Sequence, residues 1–359
     1  ELGDAARNRH WRAAHGGEAR IVLGTRLAVF TPLPELGLIV VDEEHDPSFK
    51  QQDGVRYSAR DLAVVRARER DVPIVLGSAT PSLETWANAT GWVGRDRYHL
   101  LTLGKRAIEG ADLPTVKRID LRTDPALDGL SSALLDAVDD RLNRGEQSLL
   151  FLNRRGYAPV LACAACGWVS HCPSCAANLV LHLADRCLRC HHCGHQTAVP
   201  RACPTCGNQD LGAFGRGTQR LEATLAERFP RARILRVDRD AAGTRRQWQA
   251  LVAKIDGGEA DILVGTQMLA KGHHFPKLTL VGAIAPDAAL FAADWRAPER
   301  LFAQLMQVAG RAGRAERPGE MLLQTRFPDH PLYVSLARHD YVGFAAEQLA
   351  ERRRTGFPP

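Results

Sequence analysis

Short apolar runs, each closed by polar or small residues, recur along the chain. Leu36-Gly37-Leu38-Ile39-Val40-Val41 runs into Asp42-Glu43-Glu44-His45, and Pro73-Ile74-Val75-Leu76 runs into Gly77-Ser78-Ala79-Thr80. Runs of this length, rich in β-branched residues and without polar alternation, predict strands buried on both faces of a parallel sheet. Residues 59–70 between them carry helical spacing. Further strands are predicted at 148–152, 261–264, 278–281 and 321–323. Strand and helix in alternation predict an α/β layer fold with a parallel sheet. A stretch mixed in prolines and charges reads as a linker over 104–135. The pattern therefore places a first lobe at 1–103 and a second at 136–160 and 212–330. A cysteine-rich insertion at 161–211 interrupts the second lobe, and 331–359 starts a further domain. No internal repeat or low-complexity segment is present.

Composition narrows this little. Of 359 residues, 45% are hydrophobic and 25% charged, as in ordinary globular proteins. The net charge of +6, from 47 basic and 41 acidic side chains, weakly favours a nucleic-acid partner. No run of about 18 apolar residues predicts a membrane span, and no secretory leader is expected. Residue 1 is not Met and the last residues do not read as a natural stop, so a piece of a longer, cytoplasmic protein is expected.

All nine cysteines lie between Cys163 and Cys206. Tightly spaced Cys-x-x-Cys units in a long chain read as metal ligands rather than disulfides. Four knuckles can be drawn: 163/166, 172/175, 190/193 and 203/206. Tetrahedral Zn²⁺ takes four thiolates, so eight cysteines make two closed structural sites. Cys187 offers a rival knuckle with Cys190. Glycine suits the turn after a knuckle's second cysteine, and Gly194 follows Cys193 as Gly167 follows Cys166 and Gly207 follows Cys206. The 190/193 knuckle is therefore chosen and Cys187 left without metal. Spacing pairs Cys172, Cys175, Cys190 and Cys193 as an inner, ribbon-like site, leaving Cys163, Cys166, Cys203 and Cys206 as the outer one.

Carboxylates at the end of a parallel strand sit where open α/β sheets bind ligands. Asp42 suits a Mg²⁺ ligand and Glu43 suits the group that orients water for attack on a phosphate. Gly77-Ser78-Ala79-Thr80, at the next strand end, can hydrogen-bond that acidic string. Gln307-Val308-Ala309-Gly310-Arg311-Ala312-Gly313-Arg314 is read as helical over 304–317, with Arg311 and Arg314 on one face. Paired guanidiniums there can clamp a γ-phosphate.

In this order, these strings resemble superfamily 2 helicases, whose motors are two RecA-like parallel-sheet lobes. Gly24-Thr25-Arg26, after an apolar stretch read as a strand, resembles the single-strand contact of their first lobe. Gly265-Thr266-Gln267-Met268-Leu269-Ala270-Lys271-Gly272 resembles the string that links DNA to ATP in the PriA family. Phe151-Leu152-Asn153-Arg154-Arg155-Gly156-Tyr157 before the cysteines, and Gly215-Arg216-Gly217-Thr218-Gln219 after them, share that family's look. Residues 46–62 hold Phe49, Lys50, Tyr57 and Arg60 and resemble its aromatic-rich loop, where rings stack bases. Ala285-Pro286-Asp287 is less acidic than the pattern expects, and its role stays open.

The resemblance implies an ATP-dependent 3′→5′ DNA helicase that remodels stalled forks and starts primosome assembly for replication restart. Asp42, Glu43, Gln307, Arg311 and Arg314 would be catalytic. Of these, Asp42, Arg311 and Arg314 would hold ATP with Mg²⁺. Thr25, Arg26, Phe49, Tyr57, Thr266 and Lys271 would touch DNA. It also implies the same nested pair of zinc sites. Forked and single-stranded DNA, other primosome proteins and single-strand-binding protein would be partners, near the nucleoid. The alternative is a helicase-like platform that binds DNA or partners without turnover. The chain contains no G-x-x-x-x-G-K-[ST] loop, which cradles nucleotide phosphates by its backbone N–H groups and lysine. In the family that loop lies before the segment matched here. The chain as given is therefore expected to show no DNA-stimulated ATP hydrolysis, checked by phosphate release from highly purified protein with and without single-stranded DNA.

Overall fold

The computed structural model describes the chain apart from residues 1–2, 93, 95–96, 105–112, 153–160, 164, 167, 175–178, 183–184, 191–192, 214–217, 238–243, 267–274, 293, 314–317 and 359. It forms two compact units, 1–101 with 349–359 and 102–348.

In the first unit, α1 (Asp4–His15) is followed by β1 (Ile39–Asp42), α2 (Ala59–Glu69), β2 (Ile74–Gly77) and α3 (Leu83–Ala89). The strands β1 and β2 pair in parallel, with Asp42 opposite Gly77. Serine caps begin both later helices: Ser58 accepts from Asp61 N and Ser82 from Thr85 N, satisfying N–H groups a helix start leaves open. Val40 and Val75 remain 61% and 46% exposed, so one face of this pair is uncovered. The apolar stretch before Gly24 was read as a strand. It pairs with none of the described strands, and Ile21 and Leu23 are exposed.

The second unit is built on one six-stranded sheet. Its first members are β3 (Thr115–Asp120), then, after α4 (Ser132–Asn143), β4 (Gln147–Leu152). The insertion contributes β5 (Leu161–Cys163), β6 (Val180–His182), β7 (Cys187–Arg189), β8 (Gln196–Ala198) and β9 (Leu211–Ala213). The main fold resumes with α5 (Thr218–Arg228), β10 (Ile234–Val237), α6 (Arg245–Asp256), β11 (Ile262–Gly265), β12 (Leu278–Ile284), α7 (Asp287–Leu290), α8 (Ala297–Ala309) and β13 (Glu320–Thr325). It closes with α9 (Pro331–Ala337) and the first part of α10 (Tyr341–Thr355), whose residues from 349 on belong to the first unit.

The sheet order is β10-β11-β4-β12-β13-β3 and every pairing is parallel. All described residues of β4, β11 and β12 are buried. Leu149, Phe151, Leu263 and Val281 join a core with α8 and α9, while Leu150, Leu152, Val264 and Leu280 join the other core with α4 and α5. Apolar side chains on both faces are what a sheet covered on both sides requires. The polar first residue of β4 is satisfied, because Gln147 Nε2 donates to the carbonyls of Ala260 and Ile255.

Three expectations change. Residues 115–120, read as part of a linker, are the edge strand β3, with only Val116 and Ile119 buried. An edge strand needs few apolar positions, so it lacks the run that marks the central strands. Residues 331–348 do not start a separate domain. Leu332, Tyr333, Leu336 and Phe344 lie in the core of the second unit. Finally, α8 ends at Ala309 with Gly310 as its cap, and Gly313 has φ +65°. Arg311 thus follows the helix instead of lying on its face.

In the insertion, β5 and β9 pair antiparallel as a two-stranded stem, and β6-β7-β8 form a three-stranded antiparallel sheet. No helix among the described residues is long and apolar enough to cross a membrane.

Gly319, just before β13, has its carbonyl accepting from Thr115 N. A Cβ there would overlap the Ala312 carbonyl and lie 2.6 Å from Gly313 N. Those are backbone atoms, so Gly319→Ala must displace the 310–313 turn or β13. It is expected to destabilise the second unit by about 1–3 kcal/mol, read as a lower urea midpoint.

Candidate functional site

In the first unit the end of β1 delivers four polar residues in a row. Asp42 is exposed and opposite Gly77. Its Oδ1 accepts from Glu43 N at 3.0 Å. Glu43 has φ +49°, a left-handed conformation that costs a non-glycine residue energy and recurs at functional sites. Its carboxylate is 3.5 Å from His45 Nδ1. His45 Nδ1 also lies 2.7 Å from Ser78 Oγ, which accepts from Thr80 N. The two strand-end strings expected to meet are therefore in direct contact.

Glu44 has the opposite environment, with no exposed side-chain surface. Its Oε1 accepts from Ser82 N at 2.6 Å, and its Oε2 accepts from Ser82 Oγ and Thr85 Oγ1, each at 3.0 Å. Arg60 Nη1 completes the set at 3.2 Å from Oε2 and donates to Ser82 Oγ at 2.6 Å. A buried carboxylate persists only when paired and hydrogen-bonded in this way. Burial opposes the charge on Arg60, but Asp61, Glu44 and Glu84 outweigh it and raise its pKa.

Thr25 is exposed, at the start of a 3-10 turn, Arg26–Phe30. Arg26 Nη1 donates to the carbonyls of Ser48 and Lys50. Phe30 and Tyr57 meet edge to face with centroids 5.0 Å apart. Phe49 and Tyr57 are each half-buried. The structure thus gathers the expected strand-contacting residues Thr25, Arg26, Phe49 and Tyr57 on the segments 25–30 and 46–58.

In the second unit, Thr266 follows β11, and Gln307 lies in the last turn of α8 with Arg311 just beyond it. Both Thr266 and Gln307 are half-buried. Lys271 and Arg314 lie outside the described residues, as do residues 153–157 and 215–217. Asp287, left open from sequence, is a buried acceptor. It takes hydrogen bonds from Thr325 Oγ1, Tyr333 OH and Arg326 N at 2.6, 2.8 and 2.9 Å. Burial raises its carboxyl pKa against those donors. It ties the ends of β12 and β13 to α9, which is a structural task.

In the insertion, the Sγ atoms of Cys163, Cys166, Cys203 and Cys206 lie within 4.8 Å of one another, as do those of Cys172, Cys190 and Cys193. Cys175 lies outside the described residues. Gly194 and Gly207 have φ +80° and +74°, and their N–H groups close the turns onto Cys190 O and Cys203 O. Cys187 is buried within β7, outside both groups. The N–H groups of Cys166 and Ala165 pull the Cys163 thiol down to about 6 against burial. Cys206 is pushed up to about 12; Asn208 N–H favours its thiolate, but hydrogen bonds with Cys166, burial and further thiol contacts outweigh it. Four thiols this close cannot all ionise without a cation between them. That donor set suits Zn²⁺.

Glu44 and Arg60 carry a geometry that sequence spacing did not reveal. Ser82, a partner of both, and Thr85, a partner of Glu44, lie 38 and 41 positions beyond Glu44, and no local pattern links them.

Residues 172–197 match the family model described as the PriA DNA helicase Cys-rich region domain. The whole chain is 47% identical over 358 residues to replication restart protein PriA of Haemophilus influenzae. It is 41% identical over 352 residues, 97% of the chain, to that of Bacillus subtilis. The chain spans about half the length of these curated relatives, 48% and 43% respectively. Among solved structures, S. cerevisiae Dbp5 bound to RNA and ADP BeF3 is a distant likeness. It has a TM-score of 0.43 and 15% identity, over 87% of this chain and 59% of that one. Similarity along the entire chain at this identity, with a match to the family's Cys-rich region, means that the chain belongs to the PriA family of replication restart proteins.

Proposed function

We propose that the whole protein is an ATP-driven 3′→5′ DNA helicase that remodels stalled forks and initiates primosome assembly. The observation that carries this reading is the acidic strand end of a PriA-family chain. There an exposed carboxylate, Asp42, adjoins a second, Glu43, whose partner His45 meets Ser78. Exposed carboxylates at the end of a parallel strand suit Mg²⁺ and water. Asp42 would hold Mg²⁺ of ATP, and Glu43 would orient the attacking water. Bound ATP supplies the phosphoanhydride whose cleavage drives movement. Arg311 and Arg314 would meet the γ-phosphate, with Gln307 beside them in sequence. Thr25, Arg26, Phe49, Tyr57, Thr266 and Lys271 would contact DNA, the two rings by stacking on bases. Forked and single-stranded DNA are the substrates of this reading. Its other partners are primosome proteins and single-strand-binding protein, in the cytoplasm near the nucleoid.

The first lobe is read as 1–103; the second takes in β3 and α9 besides 136–160 and 212–330, and carries the insertion 161–211. The insertion would hold two structural Zn²⁺. One would sit on Cys163, Cys166, Cys203 and Cys206, the other on Cys172, Cys175, Cys190 and Cys193. With all four positions filled by protein, neither ion would have an open site for chemistry.

Two outcomes test these assignments. In the full-length protein, Glu43→Gln is expected to bind ATP and Mg²⁺ normally and lose about 10²–10⁴-fold in turnover. Arg314→Ala should likewise keep nucleotide binding and lose about 10³–10⁵-fold. Steady-state ATPase assays beside nucleotide-binding titrations separate turnover from affinity. Near-normal turnover would remove the residue from its role.

Metal analysis is expected to give two zinc ions per chain, and Cys187→Ser should leave that count unchanged. Structural zinc supplies about 10–16 kcal/mol of apparent binding energy, so strong chelation should unfold 163–206 locally, read by hydrogen exchange. A count of one or none would overturn the two-site assignment.

A further inference from the structure

Three of the cysteine knuckles end in the same turn. The N–H of the first cysteine donates to the carbonyl two positions past the second. Cys163 N donates to Trp168 O at 2.8 Å, and Cys190 N to His195 O and Cys203 N to Asn208 O, each at 2.7 Å. The turn brings the residue at that position back toward the sulfurs, and each knuckle uses its side chain differently. Trp168 packs against the apolar cluster around Leu161 and Leu181. His195 Nδ1 lies 3.5 Å from Ser174 Oγ. Asn208 points its side chain at a sulfur: Nδ2 donates to Cys163 Sγ at 3.8 Å.

The rest of Asn208 is engaged at the same place. Its backbone N–H donates to Cys206 Sγ, its carbonyl accepts from Cys203 N, and its Oδ1 accepts from Asp210 N at 3.1 Å. The last bond decides which way the amide faces, because a carboxamide carries its acceptor and its donor on different atoms. With the oxygen toward Asp210 N–H, the NH₂ faces Cys163. One half-buried residue thus donates to a sulfur of each knuckle, Cys206 in its own and Cys163, 45 positions away from it, in the other. Four thiolates around one Zn²⁺ carry more negative charge than the ion neutralises. N–H donors aimed at sulfur stabilise that excess. Such partners orient metal ligands and govern how firmly the ion is held. Cys163 is only 1% exposed, so its sulfur depends on donors from the protein.

We propose that Asn208 is a positioning residue of the outer zinc site. Its carboxamide ties the knuckles 163/166 and 203/206 together around one ion and sets how firmly that ion is retained. The proposal rests on the reading of Cys163, Cys166, Cys203 and Cys206 as zinc ligands. Asn208 does not touch the metal; it acts through Cys163 and Cys206.

The test uses the full-length protein loaded with zinc. Zinc affinity is read by competition with a chromophoric chelator. The site that opens is identified by alkylation with N-ethylmaleimide and peptide mass spectrometry. Asn208→Asp keeps the shape and the acceptor for Asp210 N, but turns an anionic oxygen toward Cys163 in place of the NH₂. It is expected to weaken retention of one of the two zinc ions by about 10–100-fold, the range for partners of metal ligands. Cys163, Cys166, Cys203 and Cys206 should be alkylated ahead of Cys172, Cys190 and Cys193. Asn208→Ala removes the donor without adding charge and should show a smaller loss at the same cysteines. Wild-type zinc retention in Asn208→Asp overturns the proposal, since that variant lacks the donor and keeps the turn. So does equal exposure of both sets of cysteines in the two variants, which marks a general loosening of the insertion. Should Asn208→Asp fail to fold, Asn208→Ala decides on the same two readouts. Unsubstituted protein that binds no zinc would remove the site assignment and this inference together. Two ions held equally firmly in the wild type and both variants remove the inference alone.

Discussion

Strands buried on both faces of a parallel sheet leave polar chemistry only at their ends, and much of this molecule is arranged by that constraint. Asp42 ends β1 and Glu43–His45 follow it, Ser78–Thr80 follow β2 and Thr266 follows β11. Asp287 stands just after β12, and the chain beyond β4 leads into the insertion. Within β4, β11 and β12 the described side chains are all buried, so a charge within any of them would lack water and partners. The same residues that make these strands possible therefore leave Thr266 and Asp287 beyond their carboxyl ends.

Two buried carboxylates show how the fold uses charge away from those solvent-facing positions. Glu44 is held by a guanidinium, two hydroxyls and a backbone N–H. Asp287 is held by two hydroxyls and a backbone N–H. Burial raises the pKa of Asp287 against those donors, as expected of a desolvated acid. The paired Glu44 joins elements that carry chemistry, whereas Asp287 fastens a helix to a sheet. Removing one partner of either set would strand polar groups in an apolar core, a far larger loss than a surface hydrogen bond.

The cysteine module obeys a different constraint. Among the described residues its buried cluster is small, led by Leu161, Leu179, Leu181 and Leu188 together with Cys172 and Cys190. A core of that size leaves little to offset the entropy of ordering so many loop residues. Metal–thiolate bonds stand in for the missing apolar area, which is why two of the cluster's members are themselves cysteines. The antiparallel stem of β5 and β9 fixes where the insertion leaves and rejoins the larger unit.

The strands with continuous apolar runs were legible in the sequence; burial on both faces explains that signature in β4, β11 and β12, whereas β1 and β2 carry it with one face uncovered. The knuckles were legible too: a knuckle's spacing and the glycine after it reflect the turn around a metal. The acidic string was visible because it abuts such a run. Edge strand β3 and strand β10 were not visible: Val116 and Ile119 alone are buried in β3, and three of the four residues of β10 are only half-buried. The C-terminal helices looked like a new domain because nothing in their own pattern names the core they join. Tertiary structure alone decided that Arg311 follows its helix, since Gly310 ends α8 before the motif is complete. It alone also decided that Glu44 faces Arg60, Ser82 and Thr85. Those contacts join positions from 16 to 41 residues apart. Periodicity records the side of an element that is buried and carries no record of what it is buried against.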